Sequence, residues 1–131
     1  MLSSAEKSVF IVEDSVPVRA RLVEMVGDLQ GVSVVGEAET LEHAVSGILR
    51  TLPDYVLLDF QLKIGTGEQV LRAVRAQVPK AVFIVLTNHT EIQFRQACVD
   101  AGADAFFDKS SEIAKVKELI ANGLAVRGKQ H

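Results

Sequence analysis

Five short apolar runs alternate with five amphipathic stretches along the 131 residues of this chain, and that alternation restricts the fold more than any other feature. The runs lie at Ser8 to Val12, Val32 to Gly36, Tyr55 to Leu58, Ala81 to Leu86 and Ala105 to Phe107. Between them, apolar residues recur at helical spacing. Val18, Leu22, Met25, Val26 and Leu29 form the first stripe, ahead of Gly31. Leu41, Ala44, Val45, Ile48 and Leu49 form the second, and Val70, Leu71 and Val74 the third. Phe94, Ala97, Cys98 and Ala101 form the fourth, ahead of Gly102, and Ile113, Val116, Leu119, Ile120 and Leu124 the fifth. Repeated strand-then-helix order predicts a parallel sheet covered by helices on both faces. The continuously apolar run Ala81 to Leu86 suits a strand buried on both sides.

Helix starts are read from capping chemistry. Ser15 precedes Pro17, which is tolerated in a first turn because its missing N–H has no intrahelical partner there. Thr40 is expected to cap the second helix, Thr90 with Gln93 to form a capping box for the fourth, and Ser110 or Ser111 to cap the fifth. Asn122-Gly123 weakens the last turn of the fifth helix. The expected organisation is one domain over residues 1–131, with a core from about 8 to 126 and nothing that reads as a linker or second domain.

Composition excludes several functions. The net charge is −3 and aromatic residues make up 5% with no Trp, so neither a phosphate-backbone footprint nor a base-stacking surface is expected. The single cysteine, Cys98, rules out an intramolecular disulfide and reads as a buried apolar residue. The longest strongly apolar run is far short of the roughly 20 residues of a membrane span. The short polar segment before Lys7 is unlike a signal peptide, so the cytoplasm is the expected compartment. Gly65-Thr66-Gly67 follows the third strand and lacks a third glycine, so it is not a dinucleotide fingerprint. His43, His89 and His131 show no ligand spacing.

In an open parallel sheet, sites lie at the carboxyl ends of the strands. Glu13 and Asp14 follow the first strand, Asp59 the third, Thr87 the fourth, and Asp108 and Lys109 the fifth. Clustered carboxylates repel unless a cation is shared between them. All-oxygen ligation without His or Cys favours Mg2+ over zinc. A carboxylate can act as a nucleophile toward phosphorus, with a lysine and a hydroxyl stabilising the transferred group.

This set, in this order, resembles the response-regulator receiver family of two-component signalling: the Glu13-Asp14 pair, Leu57-Leu58-Asp59, Thr87, and Lys109 after Ala103-Asp104-Ala105-Phe106-Phe107. The resemblance spans roughly Val9 to Val126. It implies a flavodoxin-like, doubly wound five-stranded sheet with Asp59 as phosphoacceptor. It implies Mg2+ held by Asp14, Asp59 and the Gln61 backbone carbonyl, with Glu13 acting through metal-bound water. Lys109 and Thr87 would contact the phosphoryl group, and Phe106 would follow Thr87 inward as the switch aromatic. Gln61, Asn88 and His89 would tune phosphoryl lifetime. The implied donor is a histidine kinase or histidine phosphotransfer protein, with catalysis confined to self-phosphorylation and its reversal. No direct nucleic-acid or membrane binding is expected. The implied oligomeric state is a monomer or a phosphorylation-linked dimer.

Two features depart from the family pattern. Leu62-Lys63 stands where Met-Pro is usual, which predicts a looser loop, and Asn88 is larger than the usual residue after the threonine. The alternatives are a phosphorylation-independent adaptor on the same scaffold, a receiver segment of a longer DNA-binding regulator, and a Mg2+-dependent phosphohydrolase. The last is disfavoured because Gln61 stands where a second acid would be needed.

Overall fold

The computed structural model describes residues 6–88 and 91–122. Five strands alternate with five helices: β1 Lys7–Val12, α1 Val16–Gly27, β2 Val32–Ala38, α2 Leu41–Thr51, β3 Tyr55–Asp59, α3 Gly67–Val74, β4 Val82–Thr87, α4 Ile92–Asp100, β5 Ala105–Asp108 and α5 Ile113–Ala121. A single 3-10 turn, Arg75–Gln77, extends α3. All strand pairings are parallel and the order is β2-β1-β3-β4-β5. The order reverses between β1 and β3, so a crevice opens at the carboxyl ends of those two strands.

The helices divide the core into two layers. On one face Phe10, Val12, Val56, Leu58, Phe83 and Val85 pack with Ala44, Ile48, Val70, Leu71, Val74 and Cys98. On the other, Val9, Ile11, Leu57, Ile84 and Leu86 pack with Leu22, Met25, Val26, Val116 and Ile120. Strand residues of alternating parity therefore fill opposite layers, as the period-2 geometry of a strand dictates. Phe10 lies against the backbone of Gly36 and Gly47, where a Cβ at either position would fall 2.4 Å from its ring. The register between β1 and β2 shifts between Val9 and Phe10, with Phe10 opposite Gly36.

The Ser15 cap holds: its side chain accepts from the Val18 N–H, with Pro17 in the first turn. Thr40 caps α2 in the same way. Thr66 and Gln69 form a reciprocal capping box on α3. Other expectations are corrected. The α1 stripe ends at Gly27, and Gly31 instead turns the chain into β2 with φ of +74°. Leu49 is 37% exposed; of the expected stripe Ala44 and Ile48 are buried, joined by Gly47. The fourth helix begins at Ile92 with Glu91 before it and no side-chain cap, which places Gln93 in the first turn rather than at the third helical position. Thr90 lies outside the described residues. Neither Ser110 nor Ser111 caps α5, which starts after Glu112. Asp108 takes both the Ser110 N–H and hydroxyl, while the Glu112 carboxylate accepts the Asp108 N–H at 2.7 Å, so the loop is closed by acidic side chains. Leu124, Gly123 and the remainder of the carboxyl-terminal stretch lie outside the described residues. No helix among the described residues is long and apolar enough to cross a membrane.

Candidate functional site

Strands that run parallel deliver their last residues to one edge, and here that edge is charged. Glu13, one residue beyond β1, is tied back by its N–H to the Ala38 carbonyl at the end of β2. Its carboxylate accepts the Ser15 N–H at 3.0 Å and is buried. Asp59 closes β3, paired with Leu86 of β4. Thr87 closes β4 opposite Asp108 and is buried. Lys109 follows β5, and its backbone N–H bonds the Thr87 carbonyl at 2.9 Å.

These groups converge. The Lys109 ammonium lies 2.8 Å from Asp59 Oδ2 and 3.1 Å from Glu13 Oε1. Carboxylate oxygens of Glu13, Asp14 and Asp59 all lie within 4.8 Å of one another. Burial raises the Glu13 carboxyl above its ordinary value, with Asp59 next to it adding to the effect. Burial also raises Asp59, and the Lys109 bond opposes that rise without cancelling it. For Lys109, burial works downward, but the bonds to Asp59 and Glu13 outweigh it and hold the ammonium above its ordinary value. The cluster is therefore two buried acids that share one lysine, with Asp14 as a partly exposed third acid beside them, an arrangement that a hard divalent cation would relieve. The donor set fits such an ion: oxygen only, three carboxylates, no His or Cys.

The loop after β3 is tighter than Leu62-Lys63 suggested. The Gln61 N–H points to Asp59 Oδ1 at 3.4 Å, Leu62 N–H bonds Gly65 O, and Gly67 N–H bonds Phe60 O at 2.7 Å. Leu41 N–H reaches Ile64 O from the start of α2, and Lys63 pairs with Glu39. A Cβ on Gly67 would fall 2.5 Å from the Asp59 backbone oxygen, so the helix start and the loop approach more closely than any side chain allows.

Phe106 lies already inside the core, in the layer with Val85, Cys98 and Ala101. The Arg95 guanidinium of α4 covers its ring at 5.2 Å from the centroid. Phe60, next to Asp59, meets Phe94 of α4 with ring centroids 4.9 Å apart. Asn88 is exposed, and His89 lies outside the described residues. Cys98 is fully buried, and burial pushes its thiol up to about 11.

Residues 9–121 match the family model of the response regulator receiver domain. The chain belongs to that family. It is 31% identical over 118 residues to the DNA-binding transcriptional activator DevR/DosR of Mycobacterium tuberculosis, covering 88% of this chain and 54% of that protein. It is 30% identical over 113 residues to the response regulator UvrY of Escherichia coli, covering 86% and 52%. The chain thus spans about half the length of these curated relatives. Among solved structures, the signal receiver domain of the putative response regulator NarL from M. tuberculosis superposes with a TM-score of 0.84 at 26% identity, covering 95% of this chain and 98% of that one. As a receiver domain, the chain has its place in two-component signalling.

Sequence reading brought Glu13, Asp14, Asp59, Thr87 and Lys109 to this edge, and the fold places all five there. It missed Arg19, whose guanidinium donates to the Glu13 carbonyl at 2.7 Å, and Arg95. Both lie on helices, where a lone arginine carries no signal of what it reaches. Asp108, expected beside the acids, turns its carboxylate to Ser110 instead.

Proposed function

We propose that this receiver accepts a phosphoryl group on Asp59 from a phosphohistidine of a sensor kinase or phosphotransfer protein, with Mg2+ bound by the acidic cluster. The observation that carries the reading is the half-buried Lys109 shared by Asp59 at 2.8 Å and Glu13 at 3.1 Å, at the mouth of the sheet's crevice. Bound Mg2+ would neutralise charge on the phosphoryl oxygens.

The chain's own residues do the rest. An Asp59 carboxylate oxygen forms a bond to phosphorus as the phosphorus–nitrogen bond to the donor histidine breaks and the imidazole leaves with the electron pair. Asp14 and the Gln61 carbonyl, with Asp59, would ligate the ion, and Glu13 would hold metal-bound water. Lys109 gives up its bond to Asp59 and follows the phosphoryl charge, as a mobile point charge can. The Thr87 hydroxyl donates to a phosphoryl oxygen, and Phe106, buried beneath Arg95, is then retained inward. Phosphorylation thereby changes the surface made by α4, β5 and α5, where partners would read it. Gln61, Asn88 and His89 would tune how fast water reaches the acyl phosphate. Catalysis is confined to phosphorylation of the receiver's own aspartate and its reversal, in the cytoplasm. DNA binding is named for the M. tuberculosis relative and involves a protein of about twice the matched length.

The test is the intact mass after incubation with Mg2+ and acetyl phosphate, alongside EDTA and Asp59→Asn controls. A gain of one phosphoryl group that needs metal and Asp59 supports the reading. If wild type gains none and calorimetry detects no Mg2+ binding, the site is degenerate and the reading fails.

A further inference from the structure

Arg19 is the one charged side chain on α1 that is largely buried and bonded to other segments. Its side chain is 15% exposed. Nη1 donates to the Glu13 backbone carbonyl at 2.7 Å, Nε to Glu37 Oε1 at 3.2 Å, and Nη2 lies 3.0 Å from Glu39 Oε2. Glu39 Oε1 in turn lies 3.1 Å from the Lys63 ammonium. A chain of contacts therefore runs Glu13–Arg19–Glu39–Lys63. It starts in the loop after β1, passes through the loop after β2, and ends in the loop after β3. The first and last of these loops carry Asp14 and Gln61.

We propose that Arg19, braced by Glu39 and Lys63, is a positioning residue for the divalent cation: it sets the spacing between the Asp14 loop and the Gln61 loop. The proposal rests on the reading of the acidic cluster as a Mg2+ site. Its physical basis is the peptide plane. The Glu13 carbonyl and the Asp14 N–H belong to one rigid amide, so holding that carbonyl at 2.7 Å orients the start of Asp14. A planar guanidinium serves three acceptors at once, which an ammonium on a flexible stem does less well. Glu13, Asp14 and Asp59 repel one another, and a loop carrying two of them needs a restraint against splaying. The Lys63 end is 61% exposed and weak on its own, so the effect is graded, largest at Arg19 and smallest at Lys63.

The sign of the effect separates positioning from simple charge. Removing a positive charge near a cation site strengthens cation binding if only Coulomb energy acts. Removing a residue that orients a ligand weakens it, by about 10- to 100-fold for groups that support metal ligands. The experiment is a calorimetric Mg2+ titration of the full chain. Urea midpoints in EDTA and amide exchange at Asp14 and at Gln61 to Gly65 are measured on the same samples. Arg19→Gln is expected to weaken Mg2+ binding about tenfold or more and to speed exchange in both loops. Lys63→Met is expected to weaken binding less, with an unchanged urea midpoint. Arg19→Gln or Lys63→Met binding Mg2+ as tightly as wild type, or more tightly, overturns the proposal and leaves the cation site standing. Because Lys63 is exposed, Lys63→Met decides the matter even if Arg19→Gln does not fold. A wild type that binds no Mg2+ overturns both the cation site and the clamp.

Discussion

Lys109→Met tests the electrostatic reading of the site without touching an acid. The substitution keeps most of the apolar stem and removes the charge. The side chains involved are 13% exposed for Lys109, 1% for Glu13 and 7% for Asp59. At an effective dielectric near 20, unit charges at the observed 2.8 and 3.1 Å attract by about 6 and about 5 kcal/mol. Desolvation of the three groups offsets much of that. Losing the lysine leaves two buried acids facing each other, a change that costs about 3–5 kcal/mol when one partner of a buried pair is removed. Against a total stability of about 5–15 kcal/mol, the variant folds but unfolds at visibly lower urea. The pH dependence has a fixed sign. Both acids already have raised values in the folded protein, and without Lys109 they rise further. Groups raised in the folded state favour folding while protonated, and that contribution is lost as pH rises through the folded values. The variant's deficit should therefore be full at neutral pH and shrink as pH falls toward the ordinary carboxylate range. Mg2+ should recover part of it at neutral pH by binding the folded state. Far-ultraviolet circular dichroism in urea, with EDTA or Mg2+, reads each quantity. A variant with the wild-type midpoint in EDTA at neutral pH would refute the reasoning, because the acids would then be solvated.

Three further outcomes follow from particular contacts. Gly67→Ala places a Cβ 2.5 Å from the Asp59 backbone oxygen, and overpacking of this kind costs about 1–3 kcal/mol; urea midpoints should fall and acetyl phosphate labelling should slow together. Phe106→Ala removes a ring that is 7% exposed, with an expected loss of about 3–5 kcal/mol, and Phe106→Leu should recover most of it. Cys98 is fully buried with its thiol pushed up to about 11, so an aromatic disulfide reagent should label it only as fast as the protein unfolds, and stoichiometric labelling of the folded chain would contradict its placement.

The architecture was legible because two periodicities carry it. Strand runs such as Ala81 to Leu86 are too apolar to sit anywhere but between two helical layers, and the helical stripes name the residues that cover them. The capping residues of α1 and α2 were legible as well, since Ser15 and Thr40 satisfy N–H groups within their own turn. Failures came where a competing contact decided the outcome. Ser110 has the chemistry of a cap, but Asp108 two residues earlier takes both of its donors, and Glu112 takes the Asp108 N–H from four residues ahead. Leu49 fits the apolar stripe of α2 by spacing, yet it is Gly47 that lies against the ring of Phe10, and Leu49 is exposed.

The site divides in the same way, and the division follows from how each residue is placed. Glu13, Asp14, Asp59, Thr87 and Lys109 sit at strand ends, so parallel topology alone brings them to one edge. Knowing the strand order is enough to know that they meet. Arg19, Glu39 and Lys63 sit on a helix and on two loops, and their meeting depends on how far each side chain reaches across the edge. No spacing in the chain encodes that reach. The loop around Lys63 shows the consequence. A missing Met-Pro reads as lost rigidity when the loop is considered alone, yet Ile64 is bonded to Leu41, Gly67 to Phe60, and Lys63 to Glu39. Rigidity lost from the loop's own backbone is resupplied from the loop after β2 and from the start of α2. Local sequence therefore specifies which groups perform the chemistry, while the restraints that hold them to distance come from neighbouring segments. A substitution at Glu39, far from Asp59 in sequence, should accordingly weaken Mg2+ binding in the calorimetric titration more than one at the exposed Gln61 side chain, two residues from Asp59.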